Sequence, residues 1–177
     1  MIIWINGAFG AGKSAVTSAL LAARPGWREF DPERIGYVLM RVREVPTGDF
    51  QDLPSWRALT VRILGGLARV HGITWVVPMT LLRADYRTEI LGGLRSRGIP
   101  VHQMVLRVPE PVLRSRIDGD AELVGAREWR HAHVAPALAA FDGLAATEPG
   151  TVEVDAGDGR TPQRIAAEIL DLVAARR

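Results

Sequence analysis

Gly7-Ala8-Phe9-Gly10-Ala11-Gly12-Lys13-Ser14 decides how this chain is read. The stretch follows a short apolar run, Ile2 to Ile5, that suits a strand buried on both faces. It leads into Ala15-Val16-Thr17-Ser18-Ala19-Leu20-Leu21, which reads as a helix. G-x-x-x-x-G-K-[ST] between a strand and a helix is a phosphate-binding loop. Its glycines let backbone N–H groups turn inward around a phosphate, and the following helix N-terminus adds the positive end of its dipole. Lys13 would reach the β- and γ-phosphates, and the Ser14 hydroxyl would hold Mg2+. Gly7 to Ala15 are therefore the expected contacts to a nucleoside triphosphate and its Mg2+. Among the 22 Lys and Arg residues, Lys13 is the single lysine, so it stands against a strong bias toward arginine.

Outward from the loop, apolar runs alternate with helical patterns. Trp27 to Asp31 reads as a second strand, with Pro32 opening a helix over Glu33 to Val42. Pro54 to Val70 reads as a long helix, Ile73 to Met79 as a central strand and Ala84 to Arg97 as a helix stopped by Gly98. Val101 to Val108 is a strand and Glu110 to Ile117 a short helix; Asp118 to Gly125 is a polar connection. Ala126 to Phe141 returns to helix, Thr151 to Asp155 is the last strand, and Thr161-Pro162 opens a final helix. The alternation predicts an α/β fold in three layers, a five-stranded parallel sheet flanked by helices, built as one domain over 1–177. Ligands in such folds lie at the carboxyl ends of the strands, where the loop, Asp31, Thr80 and Asp155 all fall.

Composition narrows the function. The 177 residues carry a net charge of +2 and no cysteine, which excludes a disulfide framework, a thiolate metal site and a Cys nucleophile. No run of basic residues interleaves with aromatics, so nucleic acid is not an expected partner. The longest strongly apolar stretch, Ile73 to Leu82, is too short to span a membrane, and no secretory leader is visible. These features suit a cytoplasmic protein and leave open whether it is a monomer or homodimer.

Asp31 ends the second strand and could serve as Mg2+ ligand or as base for an attacking hydroxyl; it could also cap the next helix, and the two roles are not exclusive. The third strand ends in Pro78-Met79-Thr80, without the acid that organises the metal in many such enzymes. Arginines on either side of the polar connection, Arg114 and Arg116 before it and Arg127 and Arg130 after it, would suit a flap over transferring phosphate. Arg34, Arg57 and Thr80 are candidates for the acceptor side, and Asp155 for the nucleotide side.

The start M-I-I-W-I-N-G-A-F-G-A-G-K-S, with Phe30-Asp31-Pro32-Glu33-Arg34-Ile35-Gly36, Asp49-Phe50-Gln51-Asp52-Leu53-Pro54-Ser55-Trp56-Arg57, Val76-Val77-Pro78-Met79-Thr80 and Val101 to Leu106, resembles the tunicamycin-resistance protein family. The resemblance covers most of the chain. It implies a P-loop NTPase fold similar to nucleoside monophosphate kinases and other small-molecule kinases, with acceptor-side helices over about 32–71 and a lid over about 118–141. It implies ATP binding by Gly7 to Ser14 and protection against a uridine-containing antibiotic, by phosphorylating it or by sequestering it; a metabolic nucleoside or nucleotide kinase is the further alternative. In the related kinases a carboxylate in the place of Asp31 serves acceptor or metal. An arginine in the place of Arg116 stacks near adenine, and a flap arginine, here Arg130 or Arg127, touches the phosphates. Two departures stand out: Ile117-Asp118-Gly119-Asp120 is acidic where such kinases often carry another arginine, and no basic extension follows Arg177, which favours a freely soluble form.

Overall fold

The computed structural model describes residues 1–121 and 124–176. Five parallel strands run in the order β2-β3-β1-β4-β5. They are β1 (Ile2–Gly7), β2 (Arg28–Glu29), β3 (Trp75–Pro78), β4 (Val101–Arg107) and β5 (Thr151–Asp155). β1 is buried along its whole length because it lies mid-sheet with helices on both faces. Its side chains divide by period two. Ile3 and Ile5 join the core under α1 (Lys13–Ala23), α6 (Glu110–Asp118), α8 (Val134–Phe141) and α10 (Pro162–Ala174). Ile2 and Trp4 join the core under α3 (Pro54–His71) and the helical segment that follows β3.

That segment corrects one expectation. Ala84 to Arg97 is not a uniform helix: α4 (Ala84–Arg87) and α5 (Gly93–Arg95) are joined by a π turn, Thr88–Gly92. The bulge lets Ile90, Leu91 and Leu94 all bury on the sheet. A second correction concerns Ala126 to Phe141, which splits at His133 into α7 (Arg127–Ala132) and α8. Pro136 accounts for the break. It has no N–H for the carbonyl four residues back and its ring would strike that carbonyl, so it fits only the first turn of a new helix. A short α9 (Leu144–Thr147) follows. β2 is shorter than the expected Trp27–Asp31, although Phe30 N still donates to Val76 O at 2.9 Å. Of the expected polar connection, Glu122 and Leu123 lie outside the described residues. α2 (Glu33–Val42) and β5 fall where the pattern put them.

Adjacent strands β1 and β3 send their connections to opposite faces, β1 into α1 and β3 into α4. The crevice at their carboxyl ends is thus the switch point where doubly wound sheets bind ligands.

Candidate functional site

The crevice is built on the end of β1. Asn6, fully buried, accepts on Oδ1 from Gly7 N and from Leu81 N, both at 3.0 Å. The Thr80 hydroxyl donates to Gly7 O at 2.8 Å, and Gln51 Nε2 donates to Thr80 O at 3.1 Å. The loop therefore starts from a carbonyl clamped to the far side of β3. Gly12 then sits at φ 89° as the N-cap of α1, a conformation an L side chain rarely adopts. Gly10, at φ 84°, packs so closely on α6 that an added Cβ would lie 3.1 Å from Leu113 O. Ala8 and Ala11 are buried, whereas Ser14 and Ala15 are exposed on the first turn of α1.

Lys13 Nζ donates to Gly7 O at 3.1 Å and to Ala8 O at 3.0 Å. Burial brings its ammonium down to about 8; Glu33 pulls it back up, and Arg130 pushes it further down. Both charges thus act on the loop lysine, one from α2 and one from α7. Glu33 was not singled out from the sequence. The only signal was its place two residues after Asp31, on the first turn of a helix that starts at the crevice.

Asp31 is committed locally. Its Oδ1 accepts from Glu33 N at 2.9 Å, and its Oδ2 lies 3.5 Å from Arg34 Nε, a highly exposed side chain. The capping alternative is thus realised. Tyr37 OH donates to Glu33 Oε2 at 3.0 Å. Arg57 is buried. Its Nε pairs with Glu89 Oε2 at 2.6 Å, its Nη1 donates to Gln51 O, and its guanidinium lies 4.1 Å from the centroid of Tyr86. Arg57 and Thr80 are thus joined through Gln51, which bonds both.

Phe9 carries α7 onto the loop. Its ring meets Trp129 edge-on at 4.8 Å, Trp129 stacks on His133 at 4.0 Å, and Lys13 Nζ lies 5.5 Å from the Phe9 centroid. Arg130, the next residue, is buried and pairs with Asp120 at 2.8 Å. Arg127 Nη2 donates to Asp118 O at 3.0 Å, and Arg114 pairs with Glu110 at 2.6 Å, so neither is directed at the loop by these bonds.

On the other flank of the loop a recess of about 210 Å3 is lined by Ala11, Gly12, Ala15, Arg116, Arg160 and Pro162. Arg116 Nη2 donates to Ala156 O at 3.1 Å and ties α6 to the β5–α10 turn. Arg160 was not foreseen. It pairs with Glu168 and lies 3.7 Å from Asp155. Asp155 itself accepts from Gly157 N at 3.0 Å and lines a larger hollow of about 520 Å3 with Arg107, Glu110 and Asp142.

Among the described residues no three His, Asp or Glu side chains form a cation-binding group. A Mg2+ that keeps most of its waters and takes oxygens from substrate phosphates needs only one or two protein ligands. The Ser14 hydroxyl, exposed on the first turn of α1, fits that demand as one such ligand.

The profile of the AAA domain matches residues 2–142. The chain belongs to this family. The AAA-domain match spans the loop, the acceptor-side helices and α7, and stops short of β5 and α10. By structure the chain is similar to the tunicamycin resistance protein of Deinococcus radiodurans, with 28% identity, a TM-score of 0.72, and 97% and 94% of the two chains covered. A gluconokinase from Sinorhizobium meliloti aligns over 98% of this chain and 91% of its own at TM-score 0.69 and 20% identity. The APS kinase of Mycobacterium tuberculosis, solved with AMPPNP and APS, aligns over 98% and 96% at TM-score 0.62 and 19% identity. These place the chain in the kinase-like P-loop NTPase fold. A sequence comparison with curated proteins gave no match. Among the described residues no helix is long and apolar enough to cross a membrane.

Proposed function

We propose that this AAA-domain protein transfers the γ-phosphoryl group of ATP to a hydroxyl of a small molecule. The observation that carries the reading is the phosphate loop at the end of β1, with Gly12 capping α1 and Lys13 Nζ held on the carbonyls of Gly7 and Ala8; the charges of Glu33 and Arg130 both act on that lysine. Lys13 leaves its parking carbonyls for the β- and γ-phosphates, and Arg130 meets the charge that develops on the transferring group. The acceptor oxygen forms its bond to phosphorus as the bond to the ADP oxygen breaks, and the acceptor proton passes to a carboxylate. Glu33 is the base in this reading, because both Asp31 oxygens already have partners. Ser14 would hold Mg2+, which supplies charge neutralisation on the phosphates when bound. Arg116 and Arg160 flank the recess that takes the nucleoside end of ATP, and residues 118–141 are the lid.

The acceptor class comes from the tunicamycin resistance named for the Deinococcus protein: a nucleoside antibiotic bearing free hydroxyls. The test is incubation with Mg-ATP and tunicamycin, read by mass spectrometry for drug carrying one added phosphoryl group. Product is expected with the native protein and absent with Lys13→Ala, and Glu33→Gln should slow it by on the order of a hundredfold while leaving ATP binding intact. Intact drug held tightly beside ATP would replace transfer with sequestration. Fast turnover of ordinary nucleosides would make the protein a metabolic kinase.

A further inference from the structure

The structure gives partners to the two acids of Asp118-Gly119-Asp120, at the C-terminal end of α6. Asp120 Oδ2 accepts from Arg130 Nη1 at 2.8 Å, with the arginine side chain 9% exposed and the aspartate 27%. Asp118 Oδ1 lies 2.9 Å from His131 Nε2, and its carbonyl accepts from Arg127 at 3.0 Å. His131 Nδ1 lies 3.3 Å from Arg114 Nη1. An arginine can only donate, so Nδ1 accepts and Nε2 carries the proton toward Asp118. Three successive basic positions on one side of α7 are thus tied back to this segment, while Trp129 on the same helix rests on Phe9 of the phosphate loop.

We propose that Asp120 is a positioning residue: its carboxylate fixes the Arg130 guanidinium beside the phosphate loop before nucleotide arrives. The inference rests on the kinase reading given above. A long arginine side chain otherwise samples many rotamers, and each phosphate contact would have to be made against that freedom. Anchored through Nη1, a guanidinium presents its remaining N–H groups in a fixed fork, the arrangement that matches phosphate oxygens. The partner carboxylate also balances the approach of two cations, Arg130 and Lys13, which repel each other in the nucleotide-free protein. Asp120 therefore does work that a further arginine in its place could not.

The experiment is a double-mutant cycle on Asp120 and Arg130, read as kcat and as KM for ATP, with thermal unfolding recorded for each variant. Arg130→Ala should lower kcat by on the order of a hundredfold, the loss of one preorganised charge contact. Asp120→Ala should lower kcat by about tenfold or more and weaken nucleotide binding by a smaller factor, and should cost nothing further in either once Arg130 is alanine. Asp120→Asn, which keeps an oxygen acceptor without the charge, should fall between the native protein and Asp120→Ala; it also stands in should the alanine variant unfold. Full activity in the Asp120 variants, or losses that multiply independently, overturns the proposal and leaves the kinase reading intact. An unchanged Arg130→Ala rate overturns both the arginine's role and the proposal. If the native protein transfers no phosphoryl group, the same cycle is read as calorimetric affinity for Mg-AMPPNP. Coupling between the two positions then still supports Asp120, and additivity rejects it.

Discussion

Lys13 should make nucleotide binding depend on pH in a window set by its burial. Free, its ammonium titrates at about 8; bound between β- and γ-phosphates it remains charged well above that value. Below pH 8 the lysine is protonated in both states, and affinity is flat. Above pH 8 the free protein has lost the proton that the complex needs, so binding takes one up and affinity falls by up to tenfold per pH unit. At pH 9 the charged fraction of the free lysine is on the order of one part in ten, which gives about a tenfold weaker apparent Kd than at pH 7. The phosphate groups themselves do not interfere, because their last ionisation lies near pH 6. Titration calorimetry with Mg-AMPPNP at pH 9, run in two buffers of different ionisation enthalpy, should report uptake of close to one proton. Lys13→Arg, charged throughout, should bind without that slope. The stability of the nucleotide-free protein carries the complementary sign. The unfolded chain binds the extra proton between about 8 and the ordinary 10.5, so stability rises with pH across that window. A Kd unchanged between pH 7 and 9.5, with no proton uptake, refutes the argument that burial dominates at this lysine.

Two packing predictions follow from the acceptor side. A Cβ added at Gly36 would lie 2.4 Å from Phe50 Cγ, the root of a ring that also packs on Trp56 at 5.3 Å. Gly36→Ala gains about 1 kcal/mol of helix propensity but loses about 1–3 kcal/mol to overpacking, so urea unfolding should show net destabilisation; a stabilised variant would mean the Phe50 turn yields freely. Thr80→Val keeps the shape but removes the donor to Gly7 O, and should cost about 1 kcal/mol of stability together with weaker AMPPNP binding. Native affinity in Thr80→Val would show that the end of β1 is held well enough by Asn6 alone.

What could be read from the sequence was what local pattern encodes. The loop motif carries its own geometry, and strand-helix alternation with buried β-branched runs suffices for a parallel sheet. α2, β5 and the helix opened by Thr161 fall where their caps and prolines put them. Element interiors were harder. Nothing local in Thr88–Gly92 marks a π turn, because the extra residue is taken up to bury three apolar side chains on a surface that the sequence does not display. Pro136, by contrast, is a visible breaker inside Ala126 to Phe141. The site residues divided along the same line. Lys13 announces itself through its motif, whereas the roles of Thr80 and Arg57 depend on partners in distant elements, Gly7 for one and Glu89 for the other.

Asp31 and Glu33 divide two demands made on the start of α2. Asp31 occupies the strand end, the position a placement rule selects, yet that position also begins a helix whose N–H groups need acceptors. Asp31 satisfies one of them, and the helix it starts carries Glu33 toward the loop. The two acids are thus used in sequence, the first to set the helix and the second to face Lys13. The far side of the site repeats the arrangement, with Asp120 holding Arg130. Glu33 and Arg130 act on Lys13 with opposite sign, and Asp120 pairs with Arg130. A polyphosphate shifts that opposition in favour of the bases. In the proposed transfer, binding energy goes into drawing Lys13 from its carbonyls and setting Arg130 on the transferring group, while Glu33 keeps its charge for the acceptor proton.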